Sequence, residues 1–306
     1  MSAARIGRVL AIAGSDSGGG AGVQADIKTI TMLGGHAMTA VTAITAQNTL
    51  GVAQVLAVPA AMVLAQIEAV ATDIGVDAIK IGMVGDAATA EALAYFLTPS
   101  PLVGEGRGEG TNQVSSAAAP AASADPSLNP LPQGERAVRA VVFDPVMVAS
   151  SGAALADTAT IAAFGRLMDV AFLVTPNLPE LAGLTDMAVV DEASMAAAAQ
   201  VLVARHGTAV LAKGGHLPGG MVTDLLVTAE GIALRWSEPR IDTRHSHGTG
   251  CTLSSAIATG LAQGMPLVEA IGRARAYVRA ALLAAPGLGQ GHGPMGHGLG
   301  RSHFGG

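Results

Sequence analysis

Short apolar segments typical of β-strands alternate along this chain with longer segments that have helical periodicity. A strand at residues 8–13 precedes a helix at 23–33, and a helix at 192–206 precedes a strand at 209–212. Alternation of this kind builds a parallel sheet with helices packed on both of its faces. The sequence therefore predicts an α/β fold with three layers, α/β/α, around a mostly parallel central sheet.

Some predicted strands have no helix between them. Residues 37–44 and 52–58 each resemble one strand, and residues 222–227 and 232–236 resemble the two arms of a hairpin. Two helices are predicted to follow the hairpin and complete the fold.

Composition excludes several classes of protein. The 306 residues carry a net charge of −6 without any basic tract, so nucleic-acid binding is not expected. The most hydrophobic long window, residues 54–71, contains Pro59, Gln66 and Glu68, which predicts an amphipathic helix and not a membrane span. No signal peptide precedes the first strand, and a single cysteine suits a reducing compartment, so we expect a cytoplasmic protein.

Two segments depart from the alternation. Residues 98–135 are rich in Pro, Gly, Ser, Ala and Asn and lack periodicity, which is typical of disorder. Because the alternation resumes after them, we interpret residues 1–306 as one domain with a disordered surface insertion, although a domain linker has similar composition. The tail at 287–306 is rich in Gly and contains three histidines, but glycine surroundings provide no rigid metal-ligand geometry.

The motif with the most chemical content is His247-Gly248-Thr249-Gly250-Cys251-Thr252, at the start of a predicted helix. Its glycines allow a sharp turn that directs several N–H groups to one point, and the helix adds the positive end of its dipole. Such a site stabilises a phosphoryl group with developing negative charge. Cys251 would lie in the first helical turn, where a thiolate is favoured. An ordinary strand-to-helix turn has similar glycines, so the interpretation depends on the other motifs.

A second glycine-rich loop, residues 14–22, follows the first strand and opens a helix. A dinucleotide-binding loop is a competing interpretation, but the next strand lacks the acidic residue that would contact a ribose. That strand ends near Gln47, whose amide offers a donor and an acceptor to the edge of a heterocyclic base. From the residue alone, a loop role in capping backbone groups is the favoured interpretation of Gln47.

Charged and polar residues also follow the later strands, at the edge where parallel α/β folds bind ligands. Asp144 could orient metal-bound water or cap a turn, and Asn177 and Glu180 suit phosphate and hydrated Mg²⁺. Lys213 offers a point charge for a transferring phosphate. Asp26, near the start of the first helix, is either a partner of the helix dipole or a substrate contact. No P-loop motif is present.

Together the motifs closely resemble the hydroxymethylpyrimidine/phosphomethylpyrimidine kinases of thiamine biosynthesis, within the ribokinase-like superfamily. The resemblance covers the chain outside residues 98–135. It is carried by Ala13-Gly14-Ser15-Asp16-Ser17-Gly18-Gly19-Gly20-Ala21-Gly22-Val23-Gln24-Ala25-Asp26, Thr45-Ala46-Gln47-Asn48-Thr49, Lys80-Ile81-Gly82-Met83, Asp144-Pro145-Val146-Met147, Thr175-Pro176-Asn177-Leu178-Pro179-Glu180, Lys213-Gly214-Gly215-His216, His247-Gly248-Thr249-Gly250-Cys251-Thr252 and Gly291-His292-Gly293-Pro294.

The resemblance implies a ribokinase-like kinase that uses ATP and Mg²⁺ to phosphorylate the hydroxymethyl group of a pyrimidine and then the resulting monophosphate. The residues it implies for the pyrimidine are Gly14, Asp26, Gln47 and Met83. Those it implies for ATP are Asp144, Asn177, Glu180, Lys213 and Thr249, with Asp144 and Glu180 toward the metal. Those it implies for catalysis are Cys251 and Lys213, with Gly248 and Gly250 in the anion hole.

Several alternatives stay open. A pyridoxal kinase could use the same scaffold, because its substrate is also a small aromatic heterocycle with a hydroxymethyl group. A non-catalytic, ligand-sensing paralogue is disfavoured because Lys213, Cys251 and both anion-hole glycines are present. His245-Ser246-His247 replaces the common Asn-Thr-His, which leaves open the polar contact of position 245. The superfamily often dimerises, so we expect a homodimer.

Overall fold

The predicted alternation of strands and helices is confirmed. The computed structural model describes residues 6–98, 140–149 and 152–299, so most of the predicted insertion and the last residues of the tail lie outside them. The described strands are β1 (Arg8–Ala13), β2 (His36–Val41), β3 (Ala43–Gln47), β4 (Val52–Ala57), β5 (Ala78–Ile81), β6 (Ala140–Phe143), β7 (Leu173–Val174), β8 (Ala209–Lys213), β9 (Met221–Thr228) and β10 (Gly231–Pro239). The described helices are α1 (Gly22–Met32), α2 (Ala60–Asp73), α3 (Ala87–Leu97), α4 (Thr158–Val170), α5 (Leu178–Thr185), α6 (Glu192–His206), α7 (Thr249–Ala262) and α8 (Leu267–Leu283).

The central sheet has eight strands in the order β10-β9-β8-β7-β6-β5-β1-β2. The strands from β8 to β2 in that order pair in parallel, whereas β8 with β9 and β9 with β10 pair antiparallel. The last two strands are the predicted hairpin. Parallel strands place all their carboxyl ends at one edge, so the residues that follow β1, β5, β6, β7 and β8 are brought together.

Side chains of the sheet alternate between two apolar cores, as period-2 strands buried on both faces require. Leu10 and Ile12 of β1 pack into a core that includes Phe164 of α4. Val9 and Ala11 point the other way, into a core that includes Ile257 of α7. Helices therefore cover both faces, and the three-layer α/β/α prediction is confirmed. Of the helices in the described ranges, none combines the length and apolarity needed to cross a membrane.

The predicted strand at 37–44 is wrong in one respect, because it divides into two strands that belong to different sheets. The chain leaves the central sheet at Thr42, whose N–H donates to the Ala13 carbonyl and whose hydroxyl donates to the Met83 carbonyl at 2.6 Å. Beyond it, β3 pairs antiparallel with β4 in a separate two-stranded sheet. This small sheet carries Gln47 at the end of β3.

Helix α5 has no counterpart in the sequence prediction. It begins with a capping box in which the Asn177 side chain accepts the N–H of Glu180 at 2.9 Å. In return, the Glu180 carboxylate accepts the N–H of Asn177 at 2.8 Å. Reciprocal capping satisfies two free N–H groups at the helix start and fixes both side chains. As a result, these two predicted site residues are held rigidly just beyond β7.

Candidate active site

A cavity of about 810 Å³ lies at the carboxyl edge of the parallel strands. It brings together every site residue predicted from the sequence except Asp26. Those that line it are Gly14, Gln47, Met83, Asp144, Asn177, Glu180, Lys213, Gly248, Thr249, Gly250 and Cys251. A cleft in which several charged groups converge is where an α/β protein is expected to bind its ligands.

The anion-hole loop, residues 247–252, forms the start of α7 as predicted. Gly248 occupies the N-cap position with φ of 86°, a left-handed conformation that favours glycine. A β-carbon there would also overlap the carbonyl of Gly20. The first N–H groups of a helix, here including those of Gly250 and Cys251, have no intrahelical acceptor. They are therefore available to an anion in the cavity.

Gly250 faces the charged side of the cavity. A β-carbon built on it would lie 3.1 Å from Asp144 Oδ2 and 3.3 Å from Lys213 Nζ. The absence of a side chain at 250 thus keeps open the narrow space between the helix start and the lysine. Backbone N–H groups on one side and an ammonium on the other are the arrangement that stabilises a transferring phosphoryl group.

Lys213 lies between two carboxylates. Its Nζ is 2.6 Å from Asp144 Oδ1 and 3.9 Å from Glu180 Oε2, and the Thr175 hydroxyl also donates to Asp144 at 2.9 Å. Burial alone would lower the pKa of Lys213, but the two carboxylates raise it above its usual value, so the ammonium is retained. Burial raises the pKa of Glu180 to about 7, although Lys213 opposes the shift.

The carboxylates beside Lys213 fit Mg²⁺ better than a metal whose ligands are all protein side chains. Within the described ranges, no three or more His, Cys, Asp or Glu side chains form a group that could hold a metal ion. Mg²⁺ is normally held by one or two carboxylates together with waters and substrate phosphates. Asp144 and Glu180, both predicted from the sequence, are the two carboxylates that meet at Lys213.

Cys251 lies at the predicted place, but its predicted ionisation is wrong. Burial raises the pKa of its thiol to about 11, and the opposing effects of the Lys80 ammonium and the Gly22 N–H do not compensate. The helix start was expected to lower this pKa, but desolvation of the thiolate outweighs it. A thiol with this pKa is protonated at neutral pH.

Asp26 is the predicted site residue that does not line the cavity. It has no exposed surface, and it forms a buried ion pair in which Lys80 Nζ lies 2.9 Å from both carboxylate oxygens. The Ser255 hydroxyl donates a further hydrogen bond to it at 2.7 Å. Asp26 therefore lies beneath the residues that line the cavity, and the substrate contact that the resemblance implies for it stays a prediction.

The residues predicted for the heterocycle line the same cavity. A β-carbon on Gly14 would lie 2.9 Å from Met83 Sδ, so the two residues are in close contact. Gln47 Nε2 lies 3.1 Å from His247 Nε2, which is also 2.9 Å from Asp16 Oδ2. The amide of Gln47 therefore faces a partner within the cavity and does not serve only as a loop cap.

Asp16 and His247 were quoted in the motifs but given no role. Asp16 accepts N–H bonds from Gly18, Gly20 and Ala21, and it orders the glycine-rich loop. Burial would raise its pKa, but the bonds from His247 and the loop N–H groups lower it overall, so Asp16 is ionised. An aspartate early in a glycine-rich loop often bonds nearby N–H groups, a signal that was present in the sequence.

Known proteins are similar to this chain over most of its length. The family model described as phosphomethylpyrimidine kinase matches residues 16–103 and 131–296, which is more than half of the chain. The chain belongs to the phosphomethylpyrimidine kinase family. It is 45% identical over 292 residues to the hydroxymethylpyrimidine/phosphomethylpyrimidine kinase of Rhizobium meliloti, covering 94% of this chain and 96% of that one.

A larger member of the phosphomethylpyrimidine kinase family is also similar. The chain is 45% identical over 293 residues to the thiamine biosynthesis bifunctional protein ThiED of Geobacter sulfurreducens. The match covers 95% of this chain and 52% of ThiED, so the chain spans about half the length of that protein. Whatever the other half of ThiED does is not carried by the matched region.

A solved structure supports the ribokinase-like fold expected from the resemblance. The ADP complex of Bacillus subtilis pyridoxal kinase superimposes with a TM-score of 0.76 at 29% identity, covering 96% of this chain and 98% of that one. The family and the fold together show that the chain is a kinase.

Proposed function

We propose that this kinase transfers the γ-phosphate of ATP to 4-amino-5-hydroxymethyl-2-methylpyrimidine, and then phosphorylates the monophosphate to the diphosphate. One observation carries the proposal. The anion hole at Gly250 faces Lys213 and Asp144 in the same cavity that holds Gln47 and Met83. The heterocycle and the phosphate would thus share one cavity, in which the hydroxymethyl group can approach the phosphate for in-line transfer.

The pyrimidine is proposed to bind between Gly14, Met83 and Gln47. Met83 offers a polarizable side chain against an aromatic ring. Gln47 offers a donor and an acceptor to the ring edge, and the contact with His247 at 3.1 Å restrains its amide. Asp26 is proposed to act indirectly and not by touching the pyrimidine, because it is buried in its ion pair with Lys80.

The nucleotide is proposed to occupy the remainder of the cavity. Asn177, Glu180 and Thr249 would lie along its phosphates, and Lys213 would exchange its contact with Asp144 for the transferring group. Asp144 and Glu180 would hold a hydrated Mg²⁺, which supplies charge neutralisation on the phosphates when bound. The chain's own contribution is to orient the phosphates and to exclude water from the transferring group.

A direct assay tests this function. We expect the purified protein to consume ATP in the presence of Mg²⁺ and the hydroxymethylpyrimidine, and to form the monophosphate followed by the diphosphate. Mass spectrometry identifies the products, and omission of the acceptor measures any idle ATP hydrolysis. A protein that binds the pyrimidine but forms no phosphorylated product would refute the proposal.

Pyridoxal is a second candidate substrate, favoured by the similarity to the pyridoxal kinase of Bacillus subtilis. The same assay with pyridoxal as acceptor measures it. We expect a kcat/KM for pyridoxal well below that for the pyrimidine, because Gln47 is placed to bond a pyrimidine edge. A preference for pyridoxal would reverse the assignment of the two substrates while keeping the kinase mechanism.

A homodimer in the cytoplasm is proposed as the working form. The small sheet of β3 and β4 exposes an apolar face, on which Ile44 is 53% exposed and its cross-strand partner Leu56 is 66% exposed. Exposed apolar side chains that form a contiguous face are typical of protein interfaces. The opposite face of the sheet carries Thr45, which is buried toward the site. A single cysteine suits the reducing cytoplasm.

Leu56→Glu is expected to convert the dimer into a monomer, because two carboxylates would be buried in a self-complementary interface. Analytical ultracentrifugation should show the mass falling from twice 30.2 kDa to that value. The matched control is Ile232→Glu, at an exposed position of β10 in the central sheet. Dimers that persist in Leu56→Glu, or a wild type that is monomeric, would contradict the proposed interface.

A further inference from the structure

The C-terminal strap, residues 287–299, follows α8 and contributes His292 to the cavity lining. Its Pro294 forms a parallel bridge with His247, in which the His247 N–H donates to the Gly293 carbonyl at 3.3 Å. The Gly296 N–H donates to the carbonyl of Ala281 in α8 at 2.9 Å. The strap therefore joins the anion-hole loop to α8 through backbone hydrogen bonds.

Close packing leaves the strap little freedom. A β-carbon on Gly291 would overlap the Thr49 carbonyl, and one on Gly293 would overlap the ring of His245. His245, which stands where the family commonly has asparagine, lies against the strap and does not line the cavity. Met295 is buried at 3% exposure. The strap is thus closely packed against the rest of the protein.

His297 provides the connection from the strap to the catalytic loop. It is 4% exposed, and its Nε2 lies 2.9 Å from the hydroxyl of Thr252, which has no exposed surface. Its own carbonyl accepts the Tyr277 hydroxyl at 2.8 Å. Burial lowers the pKa of His297 to about 4, so its ring is uncharged at neutral pH. The Nε2 atom of the neutral ring and the Thr252 hydroxyl therefore share one hydrogen bond.

Thr252 is the residue after Cys251, in the first turn of α7. Its position sets where the N–H groups of Gly250 and Cys251 point, because they belong to the same turn. Anion-hole donors act only when they lie about 2.7–3.1 Å from the developing charge. A hydrogen bond that fixes this turn therefore acts on catalysis without touching the substrate.

We propose that the strap positions the anion hole, and that His297 is a positioning residue that acts through Thr252. The inference rests on the proposed kinase function. It adds His297, 45 positions beyond Thr252, to the residues that support catalysis. If the strap only covered apolar surface, substitutions in it would lower thermal stability and leave kcat unchanged in the folded protein.

Two substitutions test the proposal by removing the hydrogen bond from either side. His297→Leu fills a similar volume but forms no hydrogen bond, and Thr252→Val removes the hydroxyl at nearly constant size. Each is expected to lower kcat by about tenfold or more while the KM values for pyrimidine and ATP change little, since a displaced donor reduces transition-state stabilisation. His297→Gln, whose side chain can accept the same bond, should recover most of the activity.

The double variant and a control complete the kinetic test. If both residues act through one hydrogen bond, the double variant should be no slower than the slower single variant, which is the signature of coupling. Leu283→Ala, at a position of α8 that is 73% exposed, should leave kcat unchanged. Additive losses, or equal losses for Leu and Gln at position 297, would overturn the proposal. Should His297→Leu fail to fold, Thr252→Val and His297→Gln carry the same comparison.

Alkylation of the chain's single cysteine gives a readout independent of kinase activity. Iodoacetamide should modify Cys251 severalfold faster in His297→Leu and Thr252→Val than in the wild type, because a loosened first turn exposes the thiol. Leu283→Ala should react at the wild-type rate. Unchanged alkylation together with unchanged kcat would overturn the positioning role. If the wild type is inactive but Cys251 still reacts faster in the two variants than in the wild type, the proposed function is refuted and the role of the strap is retained.

Discussion

Gly250→Val is expected to lower kcat on the order of 10³-fold, because it disturbs the anion-hole donors and places a branched side chain in the path of the phosphate. The added β-carbon would lie 3.1 Å from Asp144 Oδ2 and 3.3 Å from Lys213 Nζ, a space tighter than ordinary van der Waals contact. The two γ-carbons would then extend into the gap between helix and lysine. Steady-state kinetics at saturating pyrimidine and ATP measure the loss.

A matched control separates this effect from the general cost of valine in a helix. Gly272 lies in α8, and a β-carbon built on it meets nothing within 4 Å. Gly272→Val should therefore keep near-wild-type kcat, while both variants keep a cooperative thermal transition. If Gly250→Val retained kcat within threefold of the control, the N–H groups at the start of α7 would not be the main stabilisers of the transferring group.

The fold was largely predictable because its signals are local. The spacing of apolar residues placed the strands and most helices, and alternation determined the parallel sheet. The division of the predicted strand at Thr42 was not predictable. Thr42 turns the chain by donating hydrogen bonds to the carbonyls of Ala13 and Met83, which are distant in sequence. Helix α5 was missed because it has only eight residues, too few for a periodic pattern, although its capping box was readable.

The site was predictable as a set of positions but less well as chemistry. Strand-end motifs converge whenever the sheet is parallel, so the cavity gathers Lys213, Asp144 and Gly250 from separate segments. What each group does depends on neighbours that only tertiary structure provides. Asp26 was expected at the substrate, but Lys80, 54 residues away, holds it in a buried ion pair. The sequence contains no signal for that pairing.

The ionisation of Cys251 is the clearest case of this limit. Its place in the first turn of α7 predicts a lowered pKa, whereas burial raises the pKa to about 11. At neutral pH only a small fraction of the free enzyme then carries the thiolate that could accept the substrate proton. Since kcat/KM reports ionisations of the free enzyme, the wild-type value should rise about tenfold per pH unit from 7 to 9 if the thiolate is the base.

Cys251→Ala is therefore expected to lower kcat/KM by about 10²-fold at neutral pH, the lower end of the range for loss of a general base, and to abolish the rise with pH. ATP affinity should change little, because the backbone N–H groups of the loop do not depend on the thiol. Cys251→Ser is the matched control. Its hydroxyl has nearly the size of the thiol but does not ionise in this range, so it should behave like alanine.

Cys251→Asp distinguishes proton acceptance from packing. A carboxylate is ionised well below pH 7 unless burial raises its pKa strongly, so it can accept the same proton throughout the assay range. This variant should retain more activity than alanine or serine, with a profile that is flat from pH 7 to 9. Full kcat/KM in Cys251→Ala, with a flat wild-type profile, would instead mean that no base is needed. The anion hole and Lys213 would then suffice, in keeping with phosphoryl transfer that relies mainly on positioning and charge stabilisation.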